Sequence, residues 1–157
     1  MGEIFEDKIE GQVADLAFCE EVYPLELYRG AQPSDDQLKL MAGNGIKTVI
    51  DLRGSGDAVI DESKQASKLG MNFIHFPMGI FCPSKKAMDK LMNIISNPEN
   101  QPVFIHCLLG RDRTGAAVAC YKMSKHGVPY KEANQDRKDH EPGFWSVSLD
   151  DSLKYYR

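Results

Sequence analysis

The sequence predicts a single α/β domain with a mostly parallel central sheet flanked by helices. Short apolar runs rich in β-branched and aromatic residues, Ile46 to Leu52, Asn72 to Phe76 and Val103 to Cys107, alternate with segments whose apolar residues recur at helical spacing. Strands joined through helices pair in parallel, because the crossover carries the chain back to the same end of the sheet. At 157 residues, with 42% apolar and 27% charged residues, the chain has the size and composition of one globular core. No repeat or low-complexity segment divides it.

Residues 1 to 24 show little periodicity and read as an arm packed on a domain spanning 25 to 157. Leu27-Tyr28-Arg29 reads as a short strand, followed by a turn at Gly30 to Pro33. Ser34 and Gln37 have capping-box spacing, Leu38, Leu40 and Met41 supply an apolar face, and Gly43-Asn44-Gly45 stops that helix. The buried strand Ile46 to Leu52 ends in the glycine-rich loop Arg53-Gly54-Ser55-Gly56-Asp57. A helix is predicted from Asp61 to Leu69, then the strand Asn72 to Phe76, closed by Pro77. Ser84 caps a helix with Met88, Leu91, Met92 and Ile95 on one face, and Pro98 and Pro102 bracket the link to the central strand. A helix is predicted from Thr114 to about Lys125, broken by Gly127-Val128-Pro129. Two more are expected at Tyr130 to Lys138 and Ser148 to Arg157, with a loop at His140 to Gly143.

The central stretch, Val103 to Gly115, carries the chemistry. A strand, a tight loop and a helix start follow in succession, so amides of the loop and of the first helical turn converge where the helix dipole adds positive potential. An anion fits that point. Cys107 opens the loop, where these amides and nearby arginines favour the thiolate, which is the nucleophilic form. Arg113 stands at the helix entrance, where its planar guanidinium can grip two phosphoryl oxygens and follow them into a trigonal-bipyramidal transition state.

The string His106-Cys107-x5-Arg113-Thr114-Gly115 resembles the signature of the cysteine-dependent protein tyrosine phosphatase superfamily, including its dual-specificity branch. Tyr28 to Pro33 and Gly45 to Arg53 look like the opening of small microbial dual-specificity-like phosphatases, a group that includes the phosphatase-like phytases. The likeness covers roughly residues 25 to 140. It implies the protein-tyrosine-phosphatase-like fold and phosphomonoester hydrolysis in two displacements, through a phosphocysteine on Cys107. It implies no metal or other cofactor, the charge being carried by Arg113 and the backbone of Leu108, Leu109, Gly110, Arg111 and Asp112. Thr114 would bond the sulfur and help it leave, and His106 would order the loop, each doubling as a capping or core residue.

The sequence departs from the common pattern at the acid. Most of the superfamily take the leaving-group proton from an upstream aspartate, about where His75 to Pro83 lies, and there is none there. Asp112 is the expected replacement, with Asp57 in reserve; as an alternative, Asp112 pairs with Arg111 or Lys122. Arg111, Arg53 and Lys85 or Lys86 are expected around the rim, which suits inositol polyphosphates or, with a shallow preceding loop, phosphotyrosine.

Two other functions use the same loop. An inactive phosphate-binding module would keep the cradle without turnover, and an arsenate reductase or sulfurtransferase would need Cys82 or Cys120 near Cys107. A net charge of −4 argues against nonspecific nucleic-acid binding, so the expected partner is a phosphorylated small molecule or phosphoprotein. No apolar run reaches membrane-spanning length and the acidic start is no secretory signal, so a cytoplasmic protein is expected, a removed leader aside. Four cysteines without metal-type pairing fit a reducing compartment; a Cys82–Cys107 disulfide is the alternative to a free Cys82.

Overall fold

The strands predicted from the apolar runs pair side by side in a computed structural model that describes residues 19–79, 81–140 and 149–157. They are β2 (Leu27–Gly30), β3 (Thr48–Asp51), β4 (Asn72–His75) and β5 (Val103–His106), joined by an edge strand, β1 (Glu20–Tyr23). The order is β1-β2-β5-β3-β4, with β1 antiparallel to β2 and the other pairs parallel. β1 is an element that the sequence did not predict. It is four residues long, partly exposed, and broken in register between Glu21 and Tyr23, too short to show an alternating pattern.

Because successive strand residues point to opposite faces, each strand feeds two cores. Leu27, Ile50 and Ile105 face one side, against Met88, Leu91, Met92 and Ile95; Tyr28, Val49 and Phe104 face the other, against Leu38, Met41 and Ala66. The helices sort accordingly. α1 (Asp35–Gly43) and α2 (Asp57–Lys68) cover the second face, and α3 (Lys85–Ser96) and α4 (Asp112–His126) the first, with α5 (Tyr130–Asp139) packed on α4.

The capping box at α1 is present: the Gln37 amide donates to Ser34 Oγ at 3.2 Å and the Ser34 amide to Gln37 Oε1 at 2.9 Å. Ser84 caps α3 by a single bond, its Oγ accepting from the Ala87 amide at 3.1 Å. α2 begins a turn earlier than the predicted Asp61. Gly56 stands at its N-cap with no side-chain bond, so no capping signal marked the start, and Asp57 in the first turn suits the helix dipole. α4 likewise starts at Asp112 rather than Thr114.

The last segment is a 3₁₀ helix, Asp150–Tyr156, not the predicted α-helix. Side chains tether it: Tyr155 Oη donates to the Pro83 carbonyl at 2.6 Å and Tyr156 Oη to Asp89 at 2.5 Å. The predicted loop at 140 to 143, beyond His140, and the helix start at Ser148 lie outside the described residues, as do residues 1–18 of the arm. Among the described residues, no helix is long and apolar enough to cross a membrane.

The register positions the site. Gly30, His106, Asp51 and His75 form one row across β2, β5, β3 and β4, so the carboxyl ends of all four parallel strands open at one level, with β5 inside the sheet. Replacing Ser34 with Ala is expected to cost about 1 kcal/mol of stability through the lost cap. Urea denaturation measures this, and the turn that α1 shares with the site residues should stay in place, leaving activity unchanged.

Candidate active site

The segment from Cys107 to Arg111 leaves the central strand and enters α4 at Asp112. Cys107 is buried. Burial alone would push its thiol up, but the Thr114 hydroxyl and amide, the Gly110 amide and the Arg113 charge outweigh this and hold it below the ordinary thiol range. The Thr114 hydroxyl is buried and makes no hydrogen bond among the described residues, which leaves it available to the sulfur whose thiol it lowers.

Gly110 is where the loop requires glycine. Its φ is +71°, and a Cβ there would stand 2.6 Å from the backbone carbon and oxygen of Gly30 and 2.8 Å from the Ala31 nitrogen. The loop is thus pressed onto the turn after β2. Two hydrogen bonds fasten it there: Gln32 N–H to the Leu108 carbonyl at 3.1 Å, and Arg29 Nη2 to the Gly110 carbonyl at 3.0 Å.

Cys107, Asp112 and Arg113 open into one cavity of about 370 Å³ whose other walls include Met78, Leu108 and Leu149. Gly54 and Gly79, from the loops after β3 and β4, also line it. These loops therefore gather around Cys107 as their strand-end positions predict, although Ile80 lies outside the described residues.

Beneath the loop is a buried polar network that sequence reasoning missed. His106 Nδ1 lies 2.8 Å from the Cys107 carbonyl, which can only accept, so that nitrogen carries a proton. Its Nε2 is 2.5 Å from Glu62 Oε1. Glu62 Oε2 in turn accepts from Arg53 Nη2 at 2.8 Å, and Arg53 bonds Asp51 through Nη2 at 2.7 Å and Nε at 3.0 Å. Burial raises the Asp51 carboxyl, but the Arg53 bonds and the nearby His106 and Arg53 charges outweigh it and hold it below the ordinary range. Ligand atoms of Asp51, Glu62 and His106 lie within 4.8 Å of one another, close enough for a metal ion. Arg53 already takes both carboxylates, so a metal would have to displace a guanidinium.

Several expected rim residues are elsewhere. Arg53 is buried in this network, because two carboxylates at the sheet's end hold it there. Asp57 is exposed at the start of α2 and is not among the residues lining the cavity. Arg111 is exposed and lines a separate cavity behind the loop. Lys85 pairs with Asp89 at 2.7 Å, and Lys86 is exposed. Lys122 pairs with Asp136 at 2.8 Å. Cys82 is a free thiol placed against the Pro83 carbonyl and Tyr155, and Cys120 is buried, with burial pushing its thiol up to about 12.

A family model described as "DSP-PTPase phosphatase fused to NAD+ kinase" matches residues 12–151. The chain belongs to this family. It is 29% identical over 101 residues to "Probable NAD kinase 2, chloroplastic" of rice, covering 61% of this chain and 10% of that protein. It is 30% identical over 103 residues to "Probable tyrosine-protein phosphatase DG1060" of Dictyostelium discoideum, covering 62% of this chain and 61% of that protein. The chain thus spans a tenth of the first relative and under two thirds of the second. A crystal structure of a putative phosphatase (DUF442) from Shewanella putrefaciens shares the fold, with a TM-score of 0.72 at 20% identity over 94% of this chain and 98% of that one.

Glu62→Ala would leave His106 Nε2 without its partner and take from Arg53 one of its two carboxylates, Asp51 remaining, and is expected to cost about 3–5 kcal/mol. Urea denaturation checks this; a loss within about 0.5 kcal/mol, as for a surface substitution, would contradict the network. Stability from Asp51 should be present above about pH 4, where the unfolded carboxyl is ionised, and lost as the pH falls toward its lower folded value. Asp51→Asn should remove that acid-side dependence.

Proposed function

We propose that the chain hydrolyses phosphomonoesters through a phosphocysteine on Cys107. The observation that carries this reading is the convergence of a thiol held below its ordinary range, a guanidinium and a carboxyl group in one cavity. Cys107 Sγ attacks phosphorus and the phosphorus–oxygen ester bond breaks, with Arg113 and the loop amides bonding the equatorial oxygens. Asp112 gives its proton to the departing oxygen. Water then attacks phosphorus, losing a proton to the Asp112 carboxylate; the sulfur–phosphorus bond breaks and inorganic phosphate leaves. The Thr114 hydroxyl stabilises the thiolate that departs. This balance needs no oxidant or external thiol. The placement of Cys82 and Cys120 lends no support to arsenate reduction or sulfur transfer.

The preferred substrate is an aryl phosphate of the phosphotyrosine type. Met78, Leu108 and Leu149 offer an apolar wall to a ring, and Leu108 and Leu109 are 53% and 58% exposed at the mouth. The extra cations that would favour an inositol polyphosphate lie elsewhere: Arg53 beneath the loop, Arg111 behind it, Lys85 against Asp89. The Dictyostelium relative's name, a tyrosine-protein phosphatase, agrees with this choice.

Phosphate release from a phosphotyrosine peptide is expected to exceed that from inositol hexakisphosphate in kcat/KM; the reverse order would overturn the aryl preference. Cys107→Ser should bind the phosphopeptide without turnover. Asp112→Asn should slow hydrolysis of an alkyl phosphate by about 10²- to 10⁴-fold, the usual range for a lost general acid, and p-nitrophenyl phosphate far less. Equal losses on both esters would remove Asp112 from the acid role.

A further inference from the structure

Arg29 is a cation inside the molecule that the mechanism leaves unused. It lies on β2 with only 3% of its surface exposed. Nη2 donates to the Gly110 carbonyl, and Nη1 is buried with no hydrogen-bond partner among the described residues. A guanidinium taken from water without a bonded carboxylate is costly, so a fold that keeps one there gains something by it. Arg29 approaches α4 as well, its Nη2 3.8 Å from where a Gly115 Cβ would stand.

The peptide it grips is the hinge of the cradle. The Gly110 amide helps to lower the Cys107 thiol, and the Gly110 carbonyl accepts from Arg29. With φ at +71°, this glycine has an alternative that other residues lack, since both signs of φ are open to it. A bond to its carbonyl therefore fixes which way the neighbouring amides point. We propose that Arg29 is a positioning residue, a buried latch that holds Gly110 in the anion-binding arrangement of the loop. The inference rests on the phosphatase reading and deepens it.

Electrostatics agree. Burial draws Arg29 below the usual guanidinium range, opposed by the charges of Glu20 on β1, Asp136 on α5 and Cys107. Of these, the sulfur is the one inside the site, so thiolate and guanidinium each favour the other's charged form.

The test compares wild type, Arg29→Met and Arg29→Lys for the pH dependence of Cys107 alkylation and for binding of orthovanadate, with folding checked by circular dichroism and thermal unfolding. Arg29→Met should move the alkylation midpoint up toward an ordinary thiol and weaken orthovanadate by roughly 10- to 100-fold, the worth of a charged hydrogen bond. Arg29→Lys keeps charge but shortens reach, and should retain most of the thiol shift while binding orthovanadate less well than wild type. A folded Arg29→Met protein that matches wild type in both measurements overturns the latch. Should that variant not fold, Arg29→Lys decides, and wild-type orthovanadate affinity there overturns it equally. Neither readout needs turnover: a wild-type protein that hydrolyses no phosphoester sinks the phosphatase reading, while these two measurements still judge Arg29.

Discussion

A negative charge on a buried sulfur is the constraint on which the rest of the structure depends. A thiolate moved out of water is unstable unless donors and cations replace the solvent it loses. Here the replacement comes from the Thr114 hydroxyl, two amides and Arg113, and it outweighs the burial. On the proposed reading the loop amides and Arg113 that favour the thiolate also bond the phosphoryl oxygens, so that a single arrangement serves both the nucleophile and the anion it attacks.

Such an arrangement must be rigid, and the fold supplies this from two sides. Below, His106 ties the Cys107 carbonyl through Glu62 and Arg53 to Asp51, linking β5 to β3 and α2. To one side, the turn after β2 meets the loop through Arg29, Gly30 and Gln32. Both supports are available because β5 lies between β2 and β3, so its carboxyl end has a neighbour on either hand. A cysteine at the end of an edge strand would lack one of them.

Much of this was legible before the structure. Val103 to Gly115 announces strand, loop and helix in order, and the caps at Ser34 and Ser84 are local signals that need no tertiary information. What could not be read depends on partners distant in sequence. Arg53 looks like a rim cation until Asp51 and Glu62 are seen to enclose it, and Arg111 looks like a second cation beside the clamp until the loop turns it toward the opposite cavity. A signal for the buried network was nonetheless present: Asp51 is a charge inside an otherwise apolar strand run, where it must find a partner or be costly. The early start of α2 at a glycine cap and the tyrosine tethers of the last segment were not legible, because neither leaves a periodic trace in the sequence.

The most direct measurement is the pH dependence of Cys107 alkylation by iodoacetate in the intact protein, read by mass spectrometry of the Cys107 peptide. Cys19 and Cys120, both pushed up to about 12, serve as unreactive internal references. The account predicts a midpoint below that of an ordinary thiol, moving upward when Thr114 is replaced by Val. A midpoint at or above the ordinary value, unchanged by that replacement, would contradict it.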